Sequence, residues 1–515
     1  MLKIIRKTLA LLFFVGITLL FLDFSGLLKA YVGWMAKIQI LPAILATNAV
    51  IVFSLIIITL LFGRIYCSVI CPLGVYQDFV SWIWAKTSKK RKNRFKAADN
   101  ARLANATRVF FLLAFIALTA RGFTGIASIL APYSNYGRIA LNLFQPIYIG
   151  ANNILAAISE HFDSYAFYSV DLWIRTMPVF IISLVVWFVV TAFAIKGGRS
   201  YCNTICPVGT VLGFINRFSW LKINVDEEKC KKCGICAMRC KGNAIKVDKN
   251  SGEVLKIDYS RCVDCFDCLE NCSFNALSYC HKANKKNGCE TSNNEKAQPN
   301  ENADKDGMGR RNFLLTLGLT TAGAALAQKE KKVDGGLAII EDKVIPERAT
   351  PILPPGAKSI SHFTQHCIAC QLCVAECPNG VLRPNTSLDR FMQPEMSFER
   401  GYCREECHRC SDVCPTGAIK LTDSAEKVST KIGQAHWIEK NCVVLTDDVN
   451  CSNCARHCPA GAIMMMPHDP NNPDSKKVPV IDETRCIGCG ACENHCPARP
   501  VSAIVVEGLL EQHEI

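Results

Sequence analysis

Residues 230–272 read CKKCGICAMRCKGNAIKVDKNSGEVLKIDYSRCVDCFDCLENC, and the spacing of the cysteines in this stretch decides what kind of fold follows. Cys230, Cys233, Cys236 and Cys240 form C-x2-C-x2-C-x3-C, and Cys262, Cys265, Cys268 and Cys272 repeat it. Short loops let three thiolates converge on three iron corners of a 4Fe-4S cubane, and soft sulfur ligands suit iron-sulfur clusters. Zinc sites commonly use two separated C-x2-C knuckles, and disulfides between such close neighbours do not explain the repetition. Between the two runs, AIKVDKNSGEVLKID alternates apolar and polar residues around Asn250-Ser251-Gly252, which predicts a hairpin.

This is a two-cluster ferredoxin pattern, in which the fourth cysteine of each run serves the other cluster. Cys230, Cys233, Cys236 and Cys272 are then expected to hold one cubane, and Cys262, Cys265, Cys268 and Cys240 the second. The usual proline after the fourth cysteine is replaced by Lys241 and Ser273. The pattern returns four times further on. Cys367, Cys370, Cys373 and Cys377 precede Pro378; Cys403, Cys407, Cys410 and Cys414 precede Pro415. Cys442, Cys451, Cys454 and Cys458 precede Pro459; Cys486, Cys489, Cys492 and Cys496 precede Pro497. Sixteen more ligands imply four more cubanes, six in all, with first spacings stretched to x3 in the Cys403 run and x8 in the Cys442 run. Nested and consecutive pairing of these runs both fit the sequence. CREECH (Cys403 to His408) mimics a haem c attachment motif, but three residues separate its cysteines and Cys407 is needed by the ferredoxin run. Cys280 and Cys289 stand outside every register.

The chain has 515 residues, half of them hydrophobic, with 30 cysteines and a net charge of +13. The apolar residues crowd into the first 200 positions and the cysteines mostly follow. Four stretches, Thr8 to Leu22, Ile38 to Gly63, Leu103 to Ala120 and Met177 to Ile195, predict membrane spans, since about 20 apolar residues cross the hydrocarbon core. The first is short, and the third carries Arg108. The basic run KTSKKRKNRFK (Lys86 to Lys96) has no aromatic ladder, so membrane topology explains it better than nucleic acid. With Lys3, Arg6, Lys7, Lys196 and Arg199, it places the N-terminus and the end of the fourth span in the cytoplasm. None of the four stretches holds a histidine for haem b, and no flavin or molybdenum motif is recognisable.

GRIYCSVICPLG follows the second span and GRSYCNTICPVG the fourth. Cys67 and Cys71 in one copy, with Cys202 and Cys206 in the other, would supply four thiolates to a shared metal or iron-sulfur site, a seventh centre. A thiol pair cycling through a disulfide and a purely structural turn are the rivals.

Residues 281–308 are polar and rich in Asn and Lys, the composition of a disordered tether. Then comes GRRNFLLTLGLTTAGAALAQ, residues 309–328: Arg310 and Arg311, a mild apolar run, and Ala325-Leu326-Ala327, as in a twin-arginine export signal. If it crosses as a fifth span, two clusters lie inside and four outside; cleavage after Ala327 would split the chain. The fold class expected is thus membrane α-helical over 1–225, followed by α+β ferredoxin modules at 226–280 and 356–515, with linkers at 281–308 and 329–355.

Residues 1–280, with their paired CSVICP and CNTICP motifs, resemble the NapH/MauN membrane ferredoxin-type proteins. Residues 309–515 resemble the NapG/MauM partners through FERGYCREECHRCSDVCPTGAI and CIGCGACENHCPARPVSAI. A fusion of two proteins usually separate is the departure from both. The resemblance implies a quinol dehydrogenase component that takes electrons from menaquinol or ubiquinol and passes them to a periplasmic reductase or cytochrome. Glu160, His161 and Asp163 in the outer loop are weighed as proton acceptors and read as solvated loop residues. The competing functions are a redox maturation factor for a periplasmic metalloenzyme and a cytoplasmic polyferredoxin on a membrane anchor.

Overall fold

A computed structural model describes residues 2–23, 26–87, 101–164, 167–246, 256–281, 341–421 and 423–515. The twin-arginine stretch, the tether before it and most of the basic run lie outside the described residues.

Among the described residues, two helices are long and apolar enough to cross a membrane, Leu2–Leu22 and Met177–Gly197, each of 21 residues. At 1.5 Å per residue each reaches about 32 Å, which matches a hydrocarbon core of about 30 Å. Ile4, Leu11 and Leu12 on one, with Ile181, Val185 and Phe188 on the other, point outward. The expected second span is broken into Ile40–Leu45 and Ala49–Phe62. Asn48 explains the break, because its side chain accepts from the Ile51 N–H and caps a new helix. The resulting 14-residue helix is about 21 Å long, short of the core thickness. The third stretch forms Ala101–Ala120, whose Arg108 is buried and donates to the Ser260 carbonyl at 3.2 Å. The charge that weakens it as a span is a docking contact.

The stretch between Arg121 and Arg175 is mostly helical rather than a plain loop. Pro132–Ile139 is buried at every position and continues through a wide π-helical turn, Ala140–Phe144, into Gln145–His161. Glu160, His161 and Asp163 end that helix in solvent.

The first ferredoxin unit starts earlier than the cysteines suggest. Leu221–Val225 pairs antiparallel with Leu277–His281, Val225 facing Leu277, so five residues expected in the membrane part belong to its sheet. Ile245–Lys246 pairs with Lys256–Ile257 as the alternation predicts. Ile223, Ala244, Ile245 and Leu277 form a small core of their own with the cysteines. In the second unit, Thr430–Trp437 pairs with Ile504–Glu514 and Ile463–Pro467 with Lys477–Ile481, all antiparallel. It also takes in residues expected to be linker: Arg348 pairs with Glu493 at 2.5 Å and the Val344 N–H donates to the Pro500 carbonyl. Its core runs without a break into the helices, from Ile17, Phe21 and Tyr136 to Leu372, Phe398 and Val506.

Three helices fix where the two units sit. Lys3, near the start of Leu2–Leu22, meets Asp267 of the first unit, while Lys29, beyond its end, meets Asp412 of the second. On Ala101–Ala120, Arg108 meets the first unit, and Thr124 past the other end donates to the Cys367 carbonyl of the second. Thr176, just before Met177–Gly197, donates to the Pro384 carbonyl, and the Arg199 N–H past its end donates to the Lys241 carbonyl of the first unit. The two ferredoxin units therefore cap opposite ends of the helical layer.

Candidate iron-sulfur centres

The cysteine loops share one backbone device. In the four runs with unbroken C-x2-C-x2-C spacing, the residues on either side of the second cysteine have left-handed backbone: Lys232 and Gly234, Asp264 and Phe266, Ala369 and Gln371, Gly488 and Gly490. Only three of these eight are glycine; the other five carry a side chain, which in that region costs of order 1 kcal/mol or more. The turn recurs whatever the residue, so the cysteine positions dictate it. The stretched Cys403 and Cys442 runs do not show it around Cys407 or Cys451. A second device follows the fourth cysteine, where backbone N–H groups of Ala244, Ala276, Ala462 and Ala503 donate to Cys240, Cys272, Cys458 and Cys496 Sγ, each at 3.3 Å. Hydrogen bonds to sulfur are one of the levers on cluster potential.

Three hollows show which cysteines converge. Cys240, Cys262, Cys265 and Cys268 line one with Ile223 and Ile245. Cys230, Cys233, Cys236 and Cys272 line another. Cys442, Cys451, Cys454 and Cys496 line a third beside Trp437. Elsewhere in the second unit Cys373 lies against Cys370, Cys367 and Cys414, and Cys410 against Cys403, Cys377 and Cys407. Cys492 lies against Cys489, Cys486 and Cys458. The fourth cysteines are exchanged between consecutive runs, not nested ones. Burial and neighbouring thiolates push Cys236 up to about 11 and Cys454 up to about 12. Sulfurs so crowded stay protonated unless a cation joins them, and four soft donors around an apolar hollow fit a 4Fe-4S cubane.

The four groups of the second unit form a series. The Cys367 group lies nearest the helices, with Cys370 acting on buried Tyr133 and its carbonyl against Gly137. The Cys403 N–H donates to the Cys489 carbonyl at 3.0 Å, joining the second group to the fourth, and the fourth exchanges its last cysteine with the Cys442 group.

The two copies of the twelve-residue repeat come together in the fold. Cys67, Cys71, Cys202 and Cys206 are each at most 4% exposed and gather in one cluster of mutually repelling thiols. The arginines are exchanged: Arg64 of the first copy reaches Asn203 Oδ1 at 2.9 Å in the second, while Arg199 of the second donates to the Cys67 carbonyl in the first. Both are fully buried, and both face the sulfurs. Glycine is required at each end. A Cβ on Gly74 would meet the Cys67 carbonyl at 2.3 Å, and one on Gly209 the Cys202 carbonyl at 2.2 Å. Gly63 (φ 80°) and Gly198 (φ 63°) take left-handed backbone where the first ferredoxin unit presses in, at Asp264 and Lys241. Gln77 Nε2 to Cys202 Sγ at 3.2 Å and Gly209 N–H to Cys206 Sγ at 3.3 Å complete the polar surroundings. Arg199 is already paired with Asp78 at 2.7 Å, so Arg64 is the guanidinium left to offset charge on the four sulfurs.

This site touches the first ferredoxin unit directly and is linked to the second through the helix Pro132–Ile139 and the turn after it. Arg64 also reaches the first unit, donating from its backbone N–H to Asp264 at 2.7 Å and from its side chain to the Ser260 carbonyl at 3.2 Å. Burial raises the Asp264 carboxyl to about 6, against the pull of that N–H. On the far side, Tyr201 of the repeat receives a bond from Asn135 at 2.9 Å. One turn later Arg138 holds Asn135 and Asn142 donates to Gln371, beside Cys370. The sequence motifs pointed to the cysteines; the paired arginines, Gly74, Gly209 and the Pro132–Ile139 helix were missed, although the repeated Gly-Arg was a visible signal. Cys280 is buried in its strand. Cys289 lies outside the described residues.

Fold and cysteine groups together define a ferredoxin-type iron-sulfur electron-transfer protein. The 4Fe-4S binding domain family matches residues 45–94 and 176–225, which contain the two copies of the repeat. The 4Fe-4S dicluster domain family matches 229–276, 366–418 and 449–499. The methylamine utilization ferredoxin-type protein MauM of Methylophilus methylotrophus is 31% identical over 164 residues, 30% of this chain and 69% of its own length. The chain belongs to the family of that ferredoxin-type protein. MauN of Paracoccus denitrificans is 24% identical over 226 residues, 44% of this chain and 62% of its own. YccM of Escherichia coli, provisionally named for electron transport, is 23% identical over 239 residues, 45% of this chain and 55% of its own.

Proposed function

We propose that the protein carries electrons from a membrane quinol to an acceptor on the opposite face of a bacterial inner membrane. Six cubanes are assigned to the six ferredoxin runs and a seventh centre to Cys67, Cys71, Cys202 and Cys206. The observation that supports this best is the placing of the two units at opposite ends of the helical layer, with the four-cysteine site in contact with elements reaching both. In this reading the first unit, at the end carrying Lys3, Arg6 and Lys196, faces the cytoplasm. The second unit faces the periplasm, where a reductase or c-type cytochrome receives the electrons. A fifth span at residues 309–328 is part of this reading.

Bound cubanes would supply one-electron carriers whose potentials follow burial and hydrogen bonding to sulfur. The chain's own part is to hold the thiolates, exclude water from the inner groups and set the order of the series. Helix Pro132–Ile139 and its Asn135 and Arg138 fill the gap between the repeat and the Cys367 group, which keeps that gap packed.

The test is to add a reduced quinol analogue to membranes that contain the protein and follow the visible absorption of the clusters. Bleaching is expected. Membranes that stay oxidised overturn the quinol reading and leave electron delivery during metalloenzyme maturation as the better one. A tag at the C-terminus should be labelled from outside intact spheroplasts; protection of the tag would place the second unit inside.

A further inference from the structure

A hollow of about 1170 Å³, open mouth included, lies at the first-unit end of the layer, between helix Leu2–Leu22, helix Pro72–Thr87 and the first ferredoxin unit. Its two walls differ. One is apolar and outward-facing: Leu11, Phe79 and Trp82 are each at least half exposed, and the Phe79 and Trp82 rings stack with centroids 6.2 Å apart. The other is polar and joined to both neighbouring cysteine groups. Lys241 bridges Asp78 at 3.6 Å and Asp267 at 3.1 Å, follows Cys240 in the chain and faces Cys265. Asp78 is held by Arg199 at 2.7 Å, the same guanidinium that reaches the Cys67 carbonyl. Basic side chains outnumber acidic ones around the hollow, five to two, and Lys7 and Arg239 stand at its exposed edge.

We propose that this hollow is the quinol-binding site, with the ring of a membrane quinol between Asp78, Lys241 and Ser81 and its tail along Leu11, Phe79 and Trp82. The proposal rests on the quinol reading above and gives it a place. The apolar wall offers what an isoprenoid tail needs, and the cationic wall favours the deprotonated forms of the ring hydroxyls. A quinol oxidised there gives up two O–H protons and two electrons and becomes the quinone. The electrons pass to the cysteine-held centres on the Cys265 and Cys67 sides, and the protons leave to water at the mouth beside Arg239. Asp78 is a fixed partner in this account rather than the base, because Arg199, Lys241 and Arg6 outweigh its burial and hold its carboxyl far below the usual range.

An acidic phospholipid shares the chemistry of anionic head and apolar tail, so the experiment separates the two. The full-length protein in nanodiscs is irradiated with a photoreactive azidoquinone and the adducts are mapped by mass spectrometry. Adducts are expected on peptides covering residues 3–11 and 75–85, suppressed by excess decylubiquinol and not by added cardiolipin. Ala85→Phe, which narrows the hollow without touching an ion pair, should lower labelling at least fivefold at unchanged iron content. Adducts elsewhere, or suppression by cardiolipin alone, overturn the site. The two readings fail separately: labelling here without cluster bleaching keeps the site and removes the electron donor, whereas bleaching with labelling elsewhere removes the site alone.

Discussion

The two ferredoxin units are built from the same cysteine spacing and attached to the helices in opposite ways. The second shares one apolar core with them, running through Phe21, Tyr136 and Leu372. The first keeps its own small core and is held by polar contacts, with Arg64, Arg108 and Asn203 donating to its carbonyls and Lys3 pairing with Asp267. Apolar docking is insensitive to charge state, while a polar dock passes through groups that sit beside the sulfurs. One unit is built in; the other is hydrogen-bonded on.

That contrast breaks most sharply at Leu372, which is fully buried in the shared core. Leu372→Ala should cost about 2–5 kcal/mol. Hydrogen exchange should quicken in residues 360–382 and in Pro132–Ile139, and stay unchanged in 256–281; equal loosening of both units would mean the cores are coupled. Arg64→Met strands Asn203 Oδ1 in the interior, at about 1–3 kcal/mol for an acceptor left unpaired, while the Ser260 carbonyl keeps its bond from Arg108. Here exchange should quicken in 256–281 while the second unit holds, and a quiet first unit would show that its dock lies elsewhere. Lys3→Ala removes its pairs with exposed Glu270 and with Asp267, which keeps Lys241 as a partner, so less than about 1 kcal/mol is expected in either unit. A larger loss would mean the dock depends on surface charge.

The ferredoxin units were legible because cysteine spacing is a local rule: three thiolates on short loops and a fourth beyond a hairpin define a module without knowledge of the rest. Even the left-handed residues, among them Lys232 and Phe266, obey the cysteines rather than their own preferences. The membrane part was legible only in outline. Hydropathy counts apolar residues and does not see that Asn48 starts a new helix, or that Arg108 has a carbonyl waiting for it in another unit. The stretch between Arg121 and Arg175 looked like a loop because its buried helix, Pro132–Ile139, carries polar residues whose partners lie far along the chain, as Arg138 does with Met392. The exchange of arginines between the two repeat copies is long-range in the same way. A motif reports what repeats, and not which copy it serves.

In the proposed function, Cys67, Cys71, Cys202 and Cys206 hold the centre through which the two units communicate. Cys71→Ser, assembled with its iron content measured, should lose about four irons of the full complement and keep both ferredoxin units folded. Given a reduced quinol analogue, its first unit should still bleach while the second stays oxidised, resolved by their separate paramagnetic signals. Full reduction of both units in that variant, at the wild-type rate, would contradict the account.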